Sequence, residues 1–386
     1  FGKHFIGMIK RLCLFFFCAL VIPAVGRTVR INLYSDIAVK TAVLKVEKGS
    51  YGLFQSGSEV IDIDHRSLVT MSILSGKMVV KANGEAREIQ GPFEIRKKLP
   101  NSSFRIRVDD DERLYRGSLK VQIIKGKLYL INIAEMDDYV AGVVESEGGH
   151  SLSPEYLKAQ VVIARTYAFK HLYTHDKKGY DLNDGVDHQA YKSMAYSENA
   201  YEVYKAVYIT KGEVLVDQSD QFVTAAYHSN SGGYTVNSED VWSSALPYLR
   251  AVEDTFSVGG DHYSWTSELE RADWTSYLKN NCPELHPDSI YSYLNFEQEE
   301  RWVYLPCSGN KIRMKELRAY FRLNSTFFDV ATKGNTVYLN GRGFGHGVGL
   351  SQEGAMKMSD LGYSYKNILL HYYREARIAE LADLQL

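Results

Sequence analysis

Four stretches of the 386-residue chain carry side chains that could do chemistry. The first is Glu147, which follows the apolar residues Val140, Val143 and Val144. A carboxyl partly withdrawn from water by such a segment holds its proton more tightly and can serve as a general acid. A solvated loop carboxylate is the plainer reading of the same residues. The second stretch holds Gln160, Arg165, Thr166 and Tyr167; Gln160 and Tyr167 are seven apart and share a helix face with Ile163. Polar residues set among Ala and Val usually anchor a buried hydrogen-bond network. The third is Tyr227-His228-Ser229-Asn230-Ser231-Gly232-Gly233, whose small residues and paired glycines let a backbone approach a ligand. No G-x-S-x-G elbow accompanies it, so a Ser/His nucleophile is weakly supported. The fourth runs from Gly341 to Gly349 with glycine at every second position, followed by Leu350-Ser351-Gln352-Glu353-Gly354-Ala355. If extended, it leaves one side bare for another backbone or a sugar ring and displays Arg342, Phe344, His346 and Val348 on the other. It matches neither the dinucleotide nor the phosphate-loop pattern.

These residues need rigid elements behind them. Ser153 is a good N-cap and Pro154 suits a first helical turn. Leu157, Val161, Ala164, Ala168 and Leu172 then repeat at helical spacing, which predicts a helix from Pro154 to about Tyr173. Met136 to Val144 reads as a short helix leading into a loop, Glu145 to His150, that carries the acids. From Arg27 to about Ile133 apolar and polar residues often alternate, as in Val29, Ile31 and Leu33 or Phe104, Ile106 and Val108. Lys125-Gly126-Lys127 reads as the turn of a hairpin between Leu119–Ile123 and Leu128–Leu130. The expected fold class is α+β. A β-rich region spans 27–103 as a possible accessory module, and a mixed α/β domain spans 104–386, with the boundary at Leu99-Pro100-Asn101-Ser102-Ser103.

Composition narrows the function. Hydrophobic residues at 45% and charged residues at 24% exclude wholesale disorder. The net charge of -2 argues against a nucleic-acid partner. The 28 tyrosines suit either a sugar-facing groove or a wet β-sheet surface. Residues 1–26 read as a secretory signal peptide: a basic start at Lys10-Arg11, an apolar run from Leu12 to Val25, and small residues before Arg27. An uncleaved N-terminal anchor is the alternative. Either way the protein is expected to be exported, to a periplasm or cell envelope. Two cysteines then remain, Cys282 and Cys307; they form a disulfide or stay as two buried thiols.

Taken in order, several motifs resemble the SpoIID/LytB family, named for stage II sporulation protein D and the amidase enhancer LytB. They are Asp138-Tyr139-Val140-Ala141-Gly142-Val143-Val144 with Glu147, and Leu157-Lys158-Ala159-Gln160-Val161 with Ala164-Arg165-Thr166-Tyr167-Ala168. His228-Ser229, Ser231-Gly232-Gly233 and Glu239-Asp240-Val241-Trp242 follow, then Gly345-His346-Gly347-Val348-Gly349-Leu350-Ser351-Gln352 and His371-Tyr372-Tyr373. The resemblance covers about Tyr115 to Tyr373.

The resemblance implies a peptidoglycan lytic transglycosylase. Such an enzyme cleaves between N-acetylmuramic acid and N-acetylglucosamine without water, leaving a 1,6-anhydro-muramyl end, on strands that sporulation members prefer free of stem peptides. It matches Glu147 to the general acid and base. Gln160, Arg165, Tyr167, His228, Ser229, Ser231, His346, Ser351 and Gln352 become candidates for binding glycan. The implied alternative is a non-enzymatic glycan-binding module that enhances a cell-wall amidase. A metal-dependent hydrolase using His228, His346, Asp187 or His188 is a third reading. The chain departs from the family in two places. Gly148-Gly149 stand where Met-Pro is common. Where some members bind zinc through Cys and His, this chain has Asn183, Asp187 and His188 and no Cys. Asp187 and His188 are weak metal candidates, and no metal or cofactor is expected.

Overall fold

A computed structural model of the chain describes residues 27–148, 153–185, 188–282, 287–307 and 310–384. The segment read as a signal peptide, Gly149 and Asp187 lie outside the described residues.

The alternating N-terminal sequence folds into twelve strands. They are β1 (Thr28–Leu33), β2 (Thr41–Lys48), β3 (Tyr51–Gln55), β4 (Ser58–Ile63), β5 (Leu68–Leu74), β6 (Lys77–Ala82), β7 (Glu85–Ile89), β8 (Phe93–Lys97), β9 (Ser103–Val108), β10 (Asp111–Arg116), β11 (Ser118–Ile124) and β12 (Lys127–Glu135). One sheet has the order β1-β12-β11-β8-β3-β4 and the other β10-β9-β2-β5-β6-β7. Their apolar faces meet, with the Tyr51 ring edge-on to Phe104 at 5.9 Å. The expected hairpin is present: Lys125 and Gly126 form its two-residue turn with φ of 48° and 71°, the left-handed pair that matches strand twist.

The expected boundary at 103/104 falls within β9, which pairs with β2 on one side and β10 on the other. Likewise β8 pairs with β11, and β1 with β12. The sheets therefore join residues on both sides of that position, and the all-β part extends to Glu135.

Two helices follow. α1 (Met136–Gly148) leaves directly from β12, and α2 (Pro154–His171) packs against it. α1 is longer than its apolar residues suggested: Glu145, Ser146 and Glu147 form its last turn rather than a loop. Ser153 takes the N-cap position of α2, but its hydroxyl bonds Asp360 Oδ1 at 2.5 Å instead of a helix N–H. α2 is buried on nearly every side, with Val161, Val162 and Ile163 fully enclosed. Each such side chain contributes about 1.5–3 kcal/mol on leaving water, which makes α2 the spine of the second half.

Around α2 stand β13 (Leu182–Asn183), which adds in parallel to β1, α3 (Ala200–Ile209), β14 (Glu213–Val216) and β15 (Tyr227–His228), followed by the single turn α4 (Ser238–Val241). A lobe with its own core then intervenes. It comprises β16 (Ser264–Glu270), α5 (Arg271–Asn281), β17 (Tyr304–Cys307), β18 (Asn310–Arg313), α6 (Met314–Phe321), β19 (Phe327–Lys333) and β20 (Thr336–Arg342). Trp274, Leu278, Leu317, Phe328 and Leu339 fill that core, and Cys282 is disulfide-bonded to Cys307. The chain returns through β21 (Leu350–Ser351), α7 (Gln352–Asp360), α8 (Tyr365–Tyr372) and β22 (Arg377–Glu380), which pairs with β14. Among the described residues no helix is long and apolar enough to cross a membrane.

Candidate active site

The last turn of α1 fastens a neighbouring segment residue by residue. Glu145 accepts from the amides of Tyr196 and Ser197, Ser146 Oγ from the amide of Lys192, and Glu147 Oε1 from the amide of Ala190 at 2.7 Å. Gly142 makes the fit possible. A Cβ there would stand 2.3 Å from the Ser193 carbonyl oxygen. Glu147 is thus a half-buried carboxylate with a fixed orientation.

Tyrosine hydroxyls surround it. Burial pushes the Tyr139, Tyr156 and Tyr227 hydroxyls well above their ordinary range, and the Glu147 charge adds to each shift. Tyr227 also hydrogen-bonds with Glu147 and Gln189. Tyr139 donates to Gln189 Oε1 at 3.3 Å. Gln352 at the start of α7 reaches the Glu147 carbonyl with its Nε2 at 3.5 Å. None of these phenols ionises near neutral pH, and the Tyr227 hydroxyl is the one that hydrogen-bonds the Glu147 side chain.

Two motifs 120 residues apart meet here because β15 pairs in parallel with β21, Tyr227 opposite Leu350 and His228 opposite Ser351. Successive strand residues face opposite ways. Tyr227 therefore faces Glu147, while His228 faces His346, their rings 5.5 Å apart, with Trp242 5.4 Å beyond. The two histidines clamp Val348. Its N–H donates to His346 Nδ1 at 3.0 Å, and its carbonyl accepts from His228 Nδ1 at 3.2 Å. His346 then carries its proton on the other nitrogen, which meets the Tyr227 carbonyl. Burial and the nearby Arg318 and Arg301 charges push His346 down to about 4. Burial pushes His228 well below its ordinary value too, so both rings are neutral.

The glycine-rich stretch is not an extended strand with an open face. Past β20 its glycines turn left-handed, with φ of 79°, 111°, 82° and 72° at 343, 345, 347 and 349. The bare side is filled by the protein itself. A Cβ at Gly345 would lie 2.7 Å from His228 Cβ, and one at Gly347 would lie 2.1 Å from Arg301 Nη1.

Several expected glycan contacts prove to be scaffold. Arg165 is 1% exposed and donates to the carbonyls of Thr210 and Glu213 at 2.7 and 3.0 Å and of Val207 at 3.4 Å, closing the C-terminal end of α3. Ser231 is fully buried, bonded to Asp254 Oδ2 at 2.7 Å and Ser257 Oγ at 2.8 Å. Ser351, also fully buried, caps α7 by accepting from the amide of Gly354 at 3.3 Å. Gln160 is fully buried, with neither amide atom bonded. These four cannot touch a substrate as placed. His228 and His346 support the loop from behind. Ser229 is half-buried, and its carbonyl accepts from the amide of Glu353 at 3.0 Å. Of the expected set, Glu147 and Gln352 are brought together. Tyr139, Tyr156, Tyr227, Gln189 and the Ala190 amide were not among the candidates.

Tyr167 acts on Tyr139 from the other side and joins a group of histidines. Its hydroxyl lies 3.1 Å from His188 Nδ1, its ring stacks on His171 at 4.1 Å, and His188 Nε2 is 3.3 Å from His175 Nε2. His188 was a weak metal candidate. Two facing imidazoles do not complete a four-coordinate zinc shell. Among the described residues no three His, Cys, Asp or Glu side chains are placed to hold a metal ion.

The profile of the family described as Stage II sporulation protein (SpoIID) matches residues 124–216, the stretch that carries Glu147 and α2. The chain belongs to this family. It is 31% identical over 283 residues to Stage II sporulation protein D of Bacillus subtilis, covering 70% of this chain and 81% of that one. The protein of the same name from Bacillus amyloliquefaciens is 28% identical over 280 residues, 69% of this chain and 80% of its own. An Amidase enhancer of Bacillus subtilis is 30% identical over 289 residues, 60% of this chain but 39% of its own length.

Proposed function

We propose that this protein is an exported cell-wall enzyme, a lytic transglycosylase acting on peptidoglycan glycan strands with Glu147 as its acid and then its base. One observation carries the reading: the Ala190 amide holds the Glu147 carboxylate in a fixed orientation. Glu145 is turned into the amides of Tyr196 and Ser197. Glu353 is held by Asn230 at 2.7 Å and His262 at 2.5 Å. Hydrolysis with two carboxylates needs a partner about 5–9.5 Å away, and neither acid of the neighbouring motifs is free to be one. An intramolecular displacement needs only one.

In that reaction the Glu147 proton moves to the glycosidic oxygen as the bond from C1 of N-acetylmuramic acid to that oxygen breaks. The carboxylate then takes the proton of the muramyl 6-hydroxyl as its oxygen closes onto C1. Glu147 regains its proton, and no water is consumed. The Ala190 amide and the Tyr227 hydroxyl stabilise the carboxylate midway.

The test is a digest of purified glycan, with and without stem peptides, by the wild type and Glu147→Gln. Anhydro-muramyl ends from the wild type, with a drop of about 10²–10⁴ in the variant, are the expected result for a lost general acid. Reducing ends would make water the nucleophile. Similarity to an Amidase enhancer supports a second reading, a glycan-binding partner of a cell-wall amidase. Glycan binding without products from either form would put that reading first.

A further inference from the structure

Three arginines of the inserted lobe converge behind His228 and His346 with too little negative charge to answer them. Arg301 and Arg342 hold their guanidinium carbons 5.6 and 3.8 Å from the centre of the same Phe327 ring. Burial and the neighbouring Arg318 and Arg342 charges push Arg301 down to about 10. The Arg301 and Arg318 charges also bear on both histidines. Among the described residues a single carboxylate answers the three, Asp329, 4.0 Å from Arg342. Three cations against one anion leave an excess of two, whereas charges withdrawn from water are ordinarily paired. The hydrogen-bond donors are unspent as well. Arg301 gives Nη2 to the Ser231 carbonyl, but its Nε and Nη1 are buried without a partner. Arg318 spends its Nε on the Leu323 carbonyl at 3.1 Å, which leaves the two Nη groups, the end-on fork of the guanidinium. Buried donors left unmet in a folded protein call for an explanation, and a missing ion is one.

From this convergence we infer that Arg301, Arg318 and Arg342 form a binding site for a small oxyanion, a carboxylate or phosphate group. Guanidinium groups match both with charge-assisted N–H···O bonds, often in pairs. One bound anion takes up donors the fold leaves unspent and offsets part of the charge excess. All three arginines are half-buried rather than enclosed, so the cluster reaches water on one side. The site is distinct from the one around Glu147. Tyr227 turns its hydroxyl to that carboxylate, while His228, the next residue of β15, turns the opposite way, toward His346 and the arginine charges. The inference therefore does not depend on the reaction proposed for Glu147. Its structural consequence falls on the glycine-rich loop. Arg301 holds the Ser231 carbonyl and lays Nη1 over Gly347, and Arg342 gives Nη2 to the Gln298 carbonyl at 2.7 Å. An anion shared by these arginines ties the lobe to that loop.

The test is calorimetry on the whole chain with two probes, sodium phosphate and N-acetylmuramic acid, whose lactyl carboxylate is free. Sodium chloride at matched ionic strength and the methyl ester of N-acetylmuramic acid are the controls. Saturable binding of at least one probe is expected, with the thermal midpoint rising about 2 °C for each tenfold increase of that probe beyond its Kd. Saturation by phosphate alone supports the site and makes its occupant a phosphate; saturation by the sugar acid alone supports it and makes the occupant a carboxylate carried on a ring. Arg318→Gln should weaken the affinity about tenfold or more through loss of a charged donor pair, and Glu147→Gln should leave it unchanged. Arg318→Lys, which keeps the charge and loses the fork, serves as the second variant if melting shows Arg318→Gln to be unfolded. No saturable binding of either probe, equal binding of the methyl ester, or unchanged affinity in a folded Arg318 variant overturns the inference. Each of those results leaves the reading of Glu147 to its own digest.

Discussion

His346 offers a quantitative test of how the loop behind Glu147 is held. As a neutral ring it accepts the Val348 amide on Nδ1; protonation would put a hydrogen where that N–H already points. The folded protein resists this and keeps the ring at about 4, against an ordinary 6.5. The unfolded chain therefore binds the proton first as pH falls. Stability is complete above pH 6.5, declines between 6.5 and 4, and loses nothing further from this group below 4. The difference amounts to about 3 kcal/mol at 1.36 kcal/mol per tenfold change in acidity, and about 2 kcal/mol once partial exposure of the ring is allowed for. Urea unfolding at pH 4, 5, 6 and 7 would read it, comparing the wild type with His346→Gln, whose amide can still meet Val348. His228 titrates in both proteins, but only in the wild type does the His346 charge push it down further, which adds to the difference. The wild type should lose about 2 kcal/mol more than the variant between pH 7 and 4. Parallel stability curves would refute the claim that folding holds His346 neutral.

Other substitutions probe the scaffold. Arg165→Met strips a buried donor from the Val207, Thr210 and Glu213 carbonyls and should destabilise by about 3 kcal/mol; any protein that remains folded should keep its KM, since the side chain does not reach the cleft. Gly347→Ala sets a Cβ against the Arg301 guanidinium at a φ of 82°. Its thermal midpoint should fall by the equivalent of about 1–3 kcal/mol, and an unchanged midpoint would show that the loop has room. Replacing Cys282 and Cys307 together by Ser releases a link across 25 residues, which chain entropy puts at about 3.5 kcal/mol. Because the lobe has its own core, protection from hydrogen exchange should drop in 264–342 and hold in α2.

Strands and their turns were legible because alternation and a Lys-Gly turn are local signals. Their partners were not. β2 finds β9 some 60 residues on, across Leu99-Pro100-Asn101-Ser102-Ser103, a turn whose composition reads like a linker. A turn between two sheets of one unit and a turn between two domains use the same residues. α1 was read short for a related reason. Glu145, Ser146 and Glu147 are polar, as a loop would be, but their side chains fasten the 190–197 segment from the last turn of a helix.

At the candidate site the motifs misled in a consistent direction. Ser231, Ser351 and Arg165 are the residue types that bind sugars, and they are equally the types that satisfy buried backbone where tight loops and helix ends leave groups unpaired. Glycine-rich turns create many such groups, so polar residues beside the glycines are drawn inward to satisfy them. The strand residue next to an inward one is then left to face the other way. In β15 that residue is Tyr227, adjacent to His228, which was a candidate for binding glycan. Strand alternation alone would have distinguished the two, given one further fact: which of them faced the rest of the protein. His228, 4% exposed and bonded to the Val348 carbonyl, is the inward one, so the hydroxyl that meets Glu147 must be the tyrosine's.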